Sequence, residues 1–585
     1  MKNKVIGVLL SIILIVVMGA IAFAGLMNHR NSESSVKLNY EEAYGISGNQ
    51  YTVIFNNELK DYRALDINGQ VYLSLEGVTS EINSRLYWDA NENVLIYTKP
   101  SGSVKTWPDQ TTYSDPDEGQ KELGYVPLTS VDDEMYIAVE YVKLFTKCNI
   151  DAYTEPNRLV IRTNWDEAKM VDVKKETSIR YKGGVKAEVL RESQVGEKLY
   201  VLDDSYDDWT FVASSDGYIG WVADKYIGEA YTEAPAEPEF TGFEYTTVQR
   251  DHKIKMVWHQ VMTEAANASF DTALANVTGM NVVSPTWFAF QDTNGNIRSI
   301  ATADYVAKAH ARGMEVWALF SNQFPDENGE LKGFEGTGVP TDEVLSYTSK
   351  RENAVAQVIS CCQQFGIDGI NLDFENIMSP SDPYDESGKA AVNYIQFVRE
   401  LSVACHKNNI IFTIDNYVPL YTQHYDRREQ NVFADYLVIM GYDEHYAGGT
   451  EAGPVASIGF VEQGITDTLN TGVPASKVIN GIPFYTRYWY TDSEGLKYGG
   501  EATMDEAAGY ASSHNVTPQW LDDQGVNYVT YTGNDGNIYE MWLEDTQAVE
   551  RKMQLITQYD LAGVSCWKLG QENSAVWSVI SQYIP

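Results

Sequence analysis

From about residue 244 to residue 585 the sequence alternates short apolar runs with helical patterns, and no other feature restricts the fold as much. Apolar runs separated by helix-length segments cannot pair as tight hairpins; they call for parallel strands joined by crossover helices. Eight runs qualify: 254–261, 281–284 leading into 287–290, 315–320, 369–375, 410–415, 436–442, 478–483 and 563–567. Helix-like segments at 301–312, 351–365 and 390–408 lie between them. Eight such units predict a (β/α)8 TIM barrel with insertions. The seventh and eighth runs stand further apart than one helix requires. The intervening residues, about 490–545, include the strand-like Asn527-Tyr-Val-Thr-Tyr531 and Ile538-Tyr-Glu-Met-Trp542. A small α+β subdomain is expected there, inserted at the barrel mouth.

The preceding residues divide by style. Val5 to Met27 is an uncharged apolar run behind Lys2 and Lys4. It is long enough to span a bilayer as a helix, with the positive flank on the cytoplasmic side. Ala22-Phe23-Ala24 also offers a signal-peptidase site, so residues 1–27 are either a transmembrane anchor or a cleaved signal. Either puts the remainder outside the cytoplasm, membrane-anchored or secreted. Residues 28–49 are polar and stalk-like. Residues 50–166 mix strands such as Tyr51-Thr-Val-Ile-Phe55 and Gln70-Val-Tyr-Leu-Ser74 with short helical stretches, giving an α+β module. Residues 167–229 read as a small β-barrel: Glu197-Lys-Leu-Tyr-Val-Leu202, Trp209-Thr-Phe-Val-Ala213 and Tyr218-Ile-Gly-Trp-Val222, separated by turns. Residues 230–243 contain Glu233-Ala-Pro-Ala-Glu-Pro-Glu239, an extended acidic linker.

With 43 Lys and Arg against 82 Asp and Glu the net charge is −39, which repels phosphate backbones and excludes nucleic acid as a partner. The 39 Tyr and 13 Trp suit stacking against sugar rings. Cys148, Cys361, Cys362, Cys405 and Cys566 fit neither a disulfide framework nor a zinc pattern and read as small buried hydrophobes. No cofactor and no metal is expected.

The chemistry is concentrated in Asp368-Gly-Ile-Asn-Leu-Asp-Phe-Glu375. Side chains alternate on a strand, so Asn371, Asp373 and Glu375 share the face opposite Ile370, Leu372 and Phe374. The apolar set faces the helices and the polar set the barrel axis. Three polar residues in succession are costly in a core unless they are hydrogen-bonded or do chemistry. They also run to the C-terminal end of a barrel strand, where barrel active sites lie.

This segment resembles the D-G-x-D-x-D-x-E signature of glycoside hydrolase family 18, the chitinase-like barrels. Met440-Gly-Tyr442-Asp443 and Trp567 match two further family motifs. The resemblance implies that Glu375 is the general acid and base, its pKa raised by the neighbouring Asp373. It implies that Asp373 orients the substrate acetamide, whose oxygen attacks the anomeric carbon, and that Tyr442 donates to that oxygen. Trp567 would stack on the sugar, retention is the expected outcome, and the substrate must carry an N-acetyl group. Asn371 stands where the family has aspartate and cannot share a proton with Asp373. Asn371, Asp443 and Asp368 are supporting residues, Asp443 standing close to Asp373 and Tyr442. Trp287 and Arg487, with Trp258, Trp317 and Tyr417, lie near strand ends and either line the groove or pack the barrel. Glu444 and His445 either position substrate or cap a loop.

Ser284-Pro-Thr-Trp-Phe288, Met440-Gly-Tyr-Asp-Glu-His445, Ala452-Gly-Pro454 and Trp567-Lys-Leu-Gly570 resemble the spore-cortex-lytic branch of that family, peptidoglycan N-acetylglucosaminidases. Residues 167–229 resemble a bacterial SH3 domain, which implies cell-wall binding or spacing. Residues 50–166 resemble the copper-amine-oxidase N-terminal-like domain, without a copper site. The expected function is a hydrolase acting on peptidoglycan or cortex. The alternatives are a chitin or chito-oligosaccharide hydrolase and a non-catalytic wall-binding or sporulation protein.

Overall fold

In the computed structural model the described residues are 32–322, 339–375, 377, 389–449 and 451–584, with Val16–Met18 and Ile21. The chain divides into two units, Met1–Tyr87, Lys105–Ser114 and Gln120–Gly242 against Trp88–Val104, Asp115–Gly119 and Phe243–Pro585. Most of the apolar run at 5–27 lies outside the described residues. Among those residues no helix is long and apolar enough to cross a membrane.

The first unit holds two seven-stranded sheets. In one, Gln50–Phe55 runs parallel to Arg158–Arg162 and antiparallel to Glu58–Ile67. The other is antiparallel and SH3-like: Trp209–Ala213 pairs with Lys198–Asp203 and with Ile219–Ala223. Its alternating Val171, Leu199, Val212 and Val222 fill the interior. The glycine in Tyr218-Ile-Gly-Trp is dictated by space, since a Cβ at Gly220 would lie 2.4 Å from the Arg180 carbonyl oxygen.

The second unit is built on eight parallel strands: β1 Ile254–His259, β2 Val282–Phe290, β3 Glu315–Ser321, β4 Gly369–Asp373, β5 Ile411–Tyr417, β6 Tyr436–Met440, β7 Val478–Pro483 and β8 Gly563–Trp567. They follow one another around the sheet, and β1 pairs in parallel with both β2 and β8, which closes the barrel. The two runs expected on either side of Pro285 form one strand with a register shift near Trp287. Expected strands four and six are shorter than their apolar text, which leaves Glu375 and Tyr442 on loops just beyond the strand ends.

The outer helices include α1 Ala303–Ala311, α2 Thr348–Phe365, α3 Lys389–Lys407, α4 Arg427–Phe433, α5 Ile458–Asn470, α6 Thr546–Gln558 and α7 Val576–Tyr583. A five-stranded antiparallel sheet intervenes between β7 and β8, starting with the hairpin Tyr485–Asp492 and Gly495–Thr503. It packs its own small core against helix Met504–Ser513, which opens with a capping box from Thr503 and Glu506.

Residues 88–104, expected within the 50–166 module, belong to the barrel unit. Asp89 accepts from the Thr348 backbone and hydroxyl at 2.7 and 2.6 Å, and Thr98 Oγ1 accepts from Gln396 at 3.0 Å. Beneath them the buried Arg351 is held by Glu400 at 2.9 Å. All five cysteines are free, four buried and Cys361 half-buried.

Candidate active site

At the C-terminal ends of the strands lies a pocket of about 150 Å³. Its walls include Trp258, Asp373, Glu375, Asp415, Tyr417, Tyr442, Asp443, Tyr485, Arg487, Glu501 and Trp567. Strand alternation accounts for the floor. In β4 and β5 the register sets Asn371 beside Thr413 and Leu372 beside Ile414, so Asp373 and Asp415 follow as inward neighbours.

Asn371 is fully buried and forms the centre of a network. Its Oδ1 accepts from Trp258 Nε1 at 2.8 Å and from Ser284 Oγ at 3.1 Å. Its Nδ2 donates to Thr413 Oγ1 at 3.0 Å and to Asp415 Oδ1 at 2.6 Å. Above it, Asp373 Oδ1 is buried without a hydrogen-bond partner among the described residues. Burial, then the charges of Glu375 and Asp415, push the Asp373 carboxyl well above the usual carboxylate range.

Glu375 is fixed at both ends. Asn322, just past β3, accepts from its backbone N–H at 3.0 Å and donates to its carbonyl at 2.7 Å. The Tyr417 hydroxyl donates to Glu375 Oε2 at 2.7 Å. Burial, then the Glu375 charge, push the Tyr417 phenol far up, so it stays a donor. Tyr442 stands across the pocket, buried, its ring edge-on to Trp258 and Tyr485. Its place depends on Gly481, where a Cβ would lie 3.1 Å from the Tyr442 ring. Trp567 is half-buried and edge-on to Trp258 at 5.7 Å.

The inserted sheet supplies one wall. Arg487 donates through Nε and Nη2 to Asp443 Oδ1 at 3.1 and 2.9 Å and pairs with Glu501 at 3.1 Å. Tyr485 donates to the same Asp443 oxygen. Asp443 adopts φ +61°, turning the chain away from the end of β6.

The structure thus brings Glu375, Asp373, Tyr442, Trp567, Asp443 and Arg487 to one pocket, with Asn371 beneath it. The other expected residues go elsewhere. Asp368 precedes β4 at the opposite end of the barrel, accepting from Val316 N at 2.8 Å and facing His310. Trp287 is buried behind β2, its Nε1 on Asn267 and its ring against Tyr305, because the register shift turns it outward. Glu444 holds Ser457, the N-cap of α5, accepting from its backbone N–H at 2.7 Å and its hydroxyl at 3.0 Å. His445 bonds the Pro454 carbonyl at 3.0 Å, so this pair caps its loop. Asp443 turns to Arg487 and Tyr485, in place of the expected support of Asp373 and Tyr442. Trp317 stacks on Tyr436 inside the barrel.

Asp415, Tyr485, Glu501 and Asn322 went unassigned from sequence. Asp415 left a signal in Thr413-Ile-Asp-Asn-Tyr417, whose alternation puts Thr413, Asp415 and Tyr417 on one face. Tyr485 and Glu501 left none, since only the fold of the inserted sheet brings them to the pocket.

Residues 339–572 match the family of glycosyl hydrolases family 18, and residues 181–227 match the bacterial dipeptidyl-peptidase Sh3 domain. The glycosylase YvbX of Bacillus subtilis is 27% identical over 325 residues, covering 54% of this chain and 89% of YvbX. The cortical fragment-lytic enzyme of Bacillus subtilis is 24% identical over 296 residues, covering 49% of this chain and 62% of that enzyme. A di-N-acetylchitobiase of Rattus norvegicus is 25% identical over 244 residues, covering 37% and 64% of the two chains. A closed (β/α)8 barrel with a carboxylate-lined pocket at its C-terminal face, in this company, is a glycoside hydrolase. The glycosyl hydrolases family 18 match covers β4 to β8 of that barrel.

Proposed function

We propose that the protein hydrolyses β-1,4 bonds next to N-acetylglucosamine in peptidoglycan or spore cortex, with retention and by substrate-assisted catalysis. The observation that carries this reading is the juxtaposition of Glu375, held by Tyr417, with a half-buried Asp373 whose buried Oδ1 is unsatisfied among the described residues, in one pocket. Glu375 protonates the glycosidic oxygen and then activates water. Asp373 accepts the acetamide N–H and stabilises the cationic ring formed when the acetamide oxygen attacks the anomeric carbon. Tyr442 donates to that oxygen, and Trp567 offers the sugar a flat apolar floor. Arg487, Glu501 and Asp443 bound the next sugar.

The cortical fragment-lytic relative favours peptidoglycan or cortex. A chito-oligosaccharide is the second reading, favoured by the chitobiase relative. The SH3-like barrel, within 167–229, would hold the wall polymer. Residues 5–27 would export the protein and either anchor it or be removed near Ala24. Residues 50–166 would then serve as an accessory module and the stretch after Glu233 as a linker. Residues 32–49, expected as a stalk, instead join the SH3-like barrel, Leu38 N–H donating to the Val189 carbonyl and Tyr40 and Ile46 lying in its core. Tyr231–Glu233, expected within the linker, adds a strand to its sheet.

The test compares wild type with Glu375→Gln on purified peptidoglycan, cortex and chito-oligomers, products identified by mass. Release of N-acetylglucosamine-ended products by wild type, with a loss of at least about a hundredfold in the variant, is expected. Equal background release by both proteins on all three polymers would leave a binding protein.

A further inference from the structure

Those roles leave one acid in the pocket without a task. Asp415 is 2% exposed, and one of its oxygens takes the Asn371 amide at 2.6 Å. The β4–β5 register makes it the inward neighbour of Asp373, on strands spaced by about 4.8 Å. Carboxyls on neighbouring inward positions repel each other's charge, and the Asp415 charge helps hold a proton on Asp373.

We propose that Asp415 is a positioning residue that receives the proton of Asp373 when the substrate acetamide arrives, standing in for the aspartate missing at position 371. This rests on the acetamide-directed reading above. The Asn371 amide donates to Asp415 Oδ1 and so favours its ionised form. In the free protein the proton therefore sits on Asp373, whose Oδ1 has no acceptor or donor among the described residues. A bound acetamide N–H needs an acceptor there. The proton passes from the Asp373 carboxyl to Asp415 Oδ2, one O–H bond breaking as another forms. Asp373 is left anionic beside the developing positive charge, and the proton returns when the product leaves.

The surroundings support a retained proton. Burial is the main force raising both carboxyls; at Asp415 the Asn371 bond opposes it and the Glu375 charge adds to it. The titratable groups facing Asp415 are Asp373 and Glu375 beside β4, Tyr417 on its own strand, Tyr442 beyond β6 and Tyr394 on α3. The guanidinium of Arg487 in the same pocket is engaged by Asp443 and Glu501.

The test measures kcat, KM and pH profiles for wild type, Asp415→Asn and the exchange variant Asn371→Asp/Asp415→Asn on the polymer that wild type cleaves. In Asp415→Asn, the half-buried Asp373 can shed its proton only to water. Its kcat should fall about a hundredfold near neutrality and partly recover as pH rises, with KM little changed. The exchange variant returns a carboxyl next to Asp373 and should regain neutral-pH turnover. It also carries the test alone should Asp415→Asn not fold. A wild-type pH profile in Asp415→Asn, or a uniform loss that the exchange variant does not relieve, overturns the proposal while leaving the glycosidase reading intact. A wild type no more active than Glu375→Gln overturns that reading and this proposal with it.

Discussion

Asp89 offers a quantitative test of how the barrel wall is held. One carboxylate oxygen accepts both the backbone N–H and the hydroxyl of Thr348, and both residues are buried. It thereby caps α2, whose own N-cap residue Tyr347 makes no side-chain bond. The carboxylate also meets the positive end of the helix dipole. Asp89→Ala strips four bonds, two from Thr348 and two from the Asn91 and Glu92 N–H groups, and strands the two buried Thr348 donors. A lost cap costs about 1 kcal/mol, and an unsatisfied buried donor about 1–3 kcal/mol. These contributions overlap, so the expected loss is about 3 kcal/mol. Asp89→Asn keeps only one of the two acceptor oxygens and should cost less than the alanine, about 1–2 kcal/mol. Hydrogen–deuterium exchange in the first turn of α2 reads the effect locally. About 3 kcal/mol corresponds to roughly a hundredfold faster opening, with the inserted sheet unaffected. Unchanged exchange in the alanine variant, or equal acceleration in both variants, would refute the capping argument.

Two further outcomes follow from buried groups. Glu544 and Lys552 form an ion pair at 2.8 Å with both side chains at most 1% exposed, yet burial pushes the Glu544 carboxyl up to about 7. A carboxyl raised on folding stabilises fully below its unfolded pKa and loses that contribution as pH rises through about 7. Lys552→Met should therefore cost about 3–5 kcal/mol in urea unfolding at slightly alkaline pH and clearly less near pH 5; equal losses would contradict it. Tyr417→Phe removes the donor to Glu375 and should lower kcat about tenfold at nearly constant KM, whereas a change confined to KM would mark Tyr417 as a binding residue.

The barrel was legible because each strand is a short apolar run and each long helix has its own period. The catalytic segment was legible because alternation separates Asn371, Asp373 and Glu375 from Ile370, Leu372 and Phe374. What escaped depends on pairing between distant segments. Trp287 looks like a groove residue until a register shift turns it outward. Asp368 belongs to the motif by spacing, but a strand has two ends, and five residues carry the chain from one face of the barrel to the other. Glu444 follows the Tyr-Asp pair directly, yet the N–H and hydroxyl of Ser457, the residue that caps α5, claim its carboxylate. Asp415 lay in plain alternation; its importance comes from the neighbour across the strand gap.

The assignment of residues 88–104 to the barrel unit has a consequence for inheritance. A gene rearrangement that joins a foreign module at the Pro-rich stretch 230–243 would transfer the eight strands but leave behind the carboxylate that starts α2 and the threonine that meets Gln396. Such a chimera would begin life with a frayed outer helix and an exposed flank over Arg351 and Glu400. The accessory segment and the barrel are therefore constrained to travel together, and substitutions at Asp89 or Thr98 should be compensated at Thr348 or Gln396.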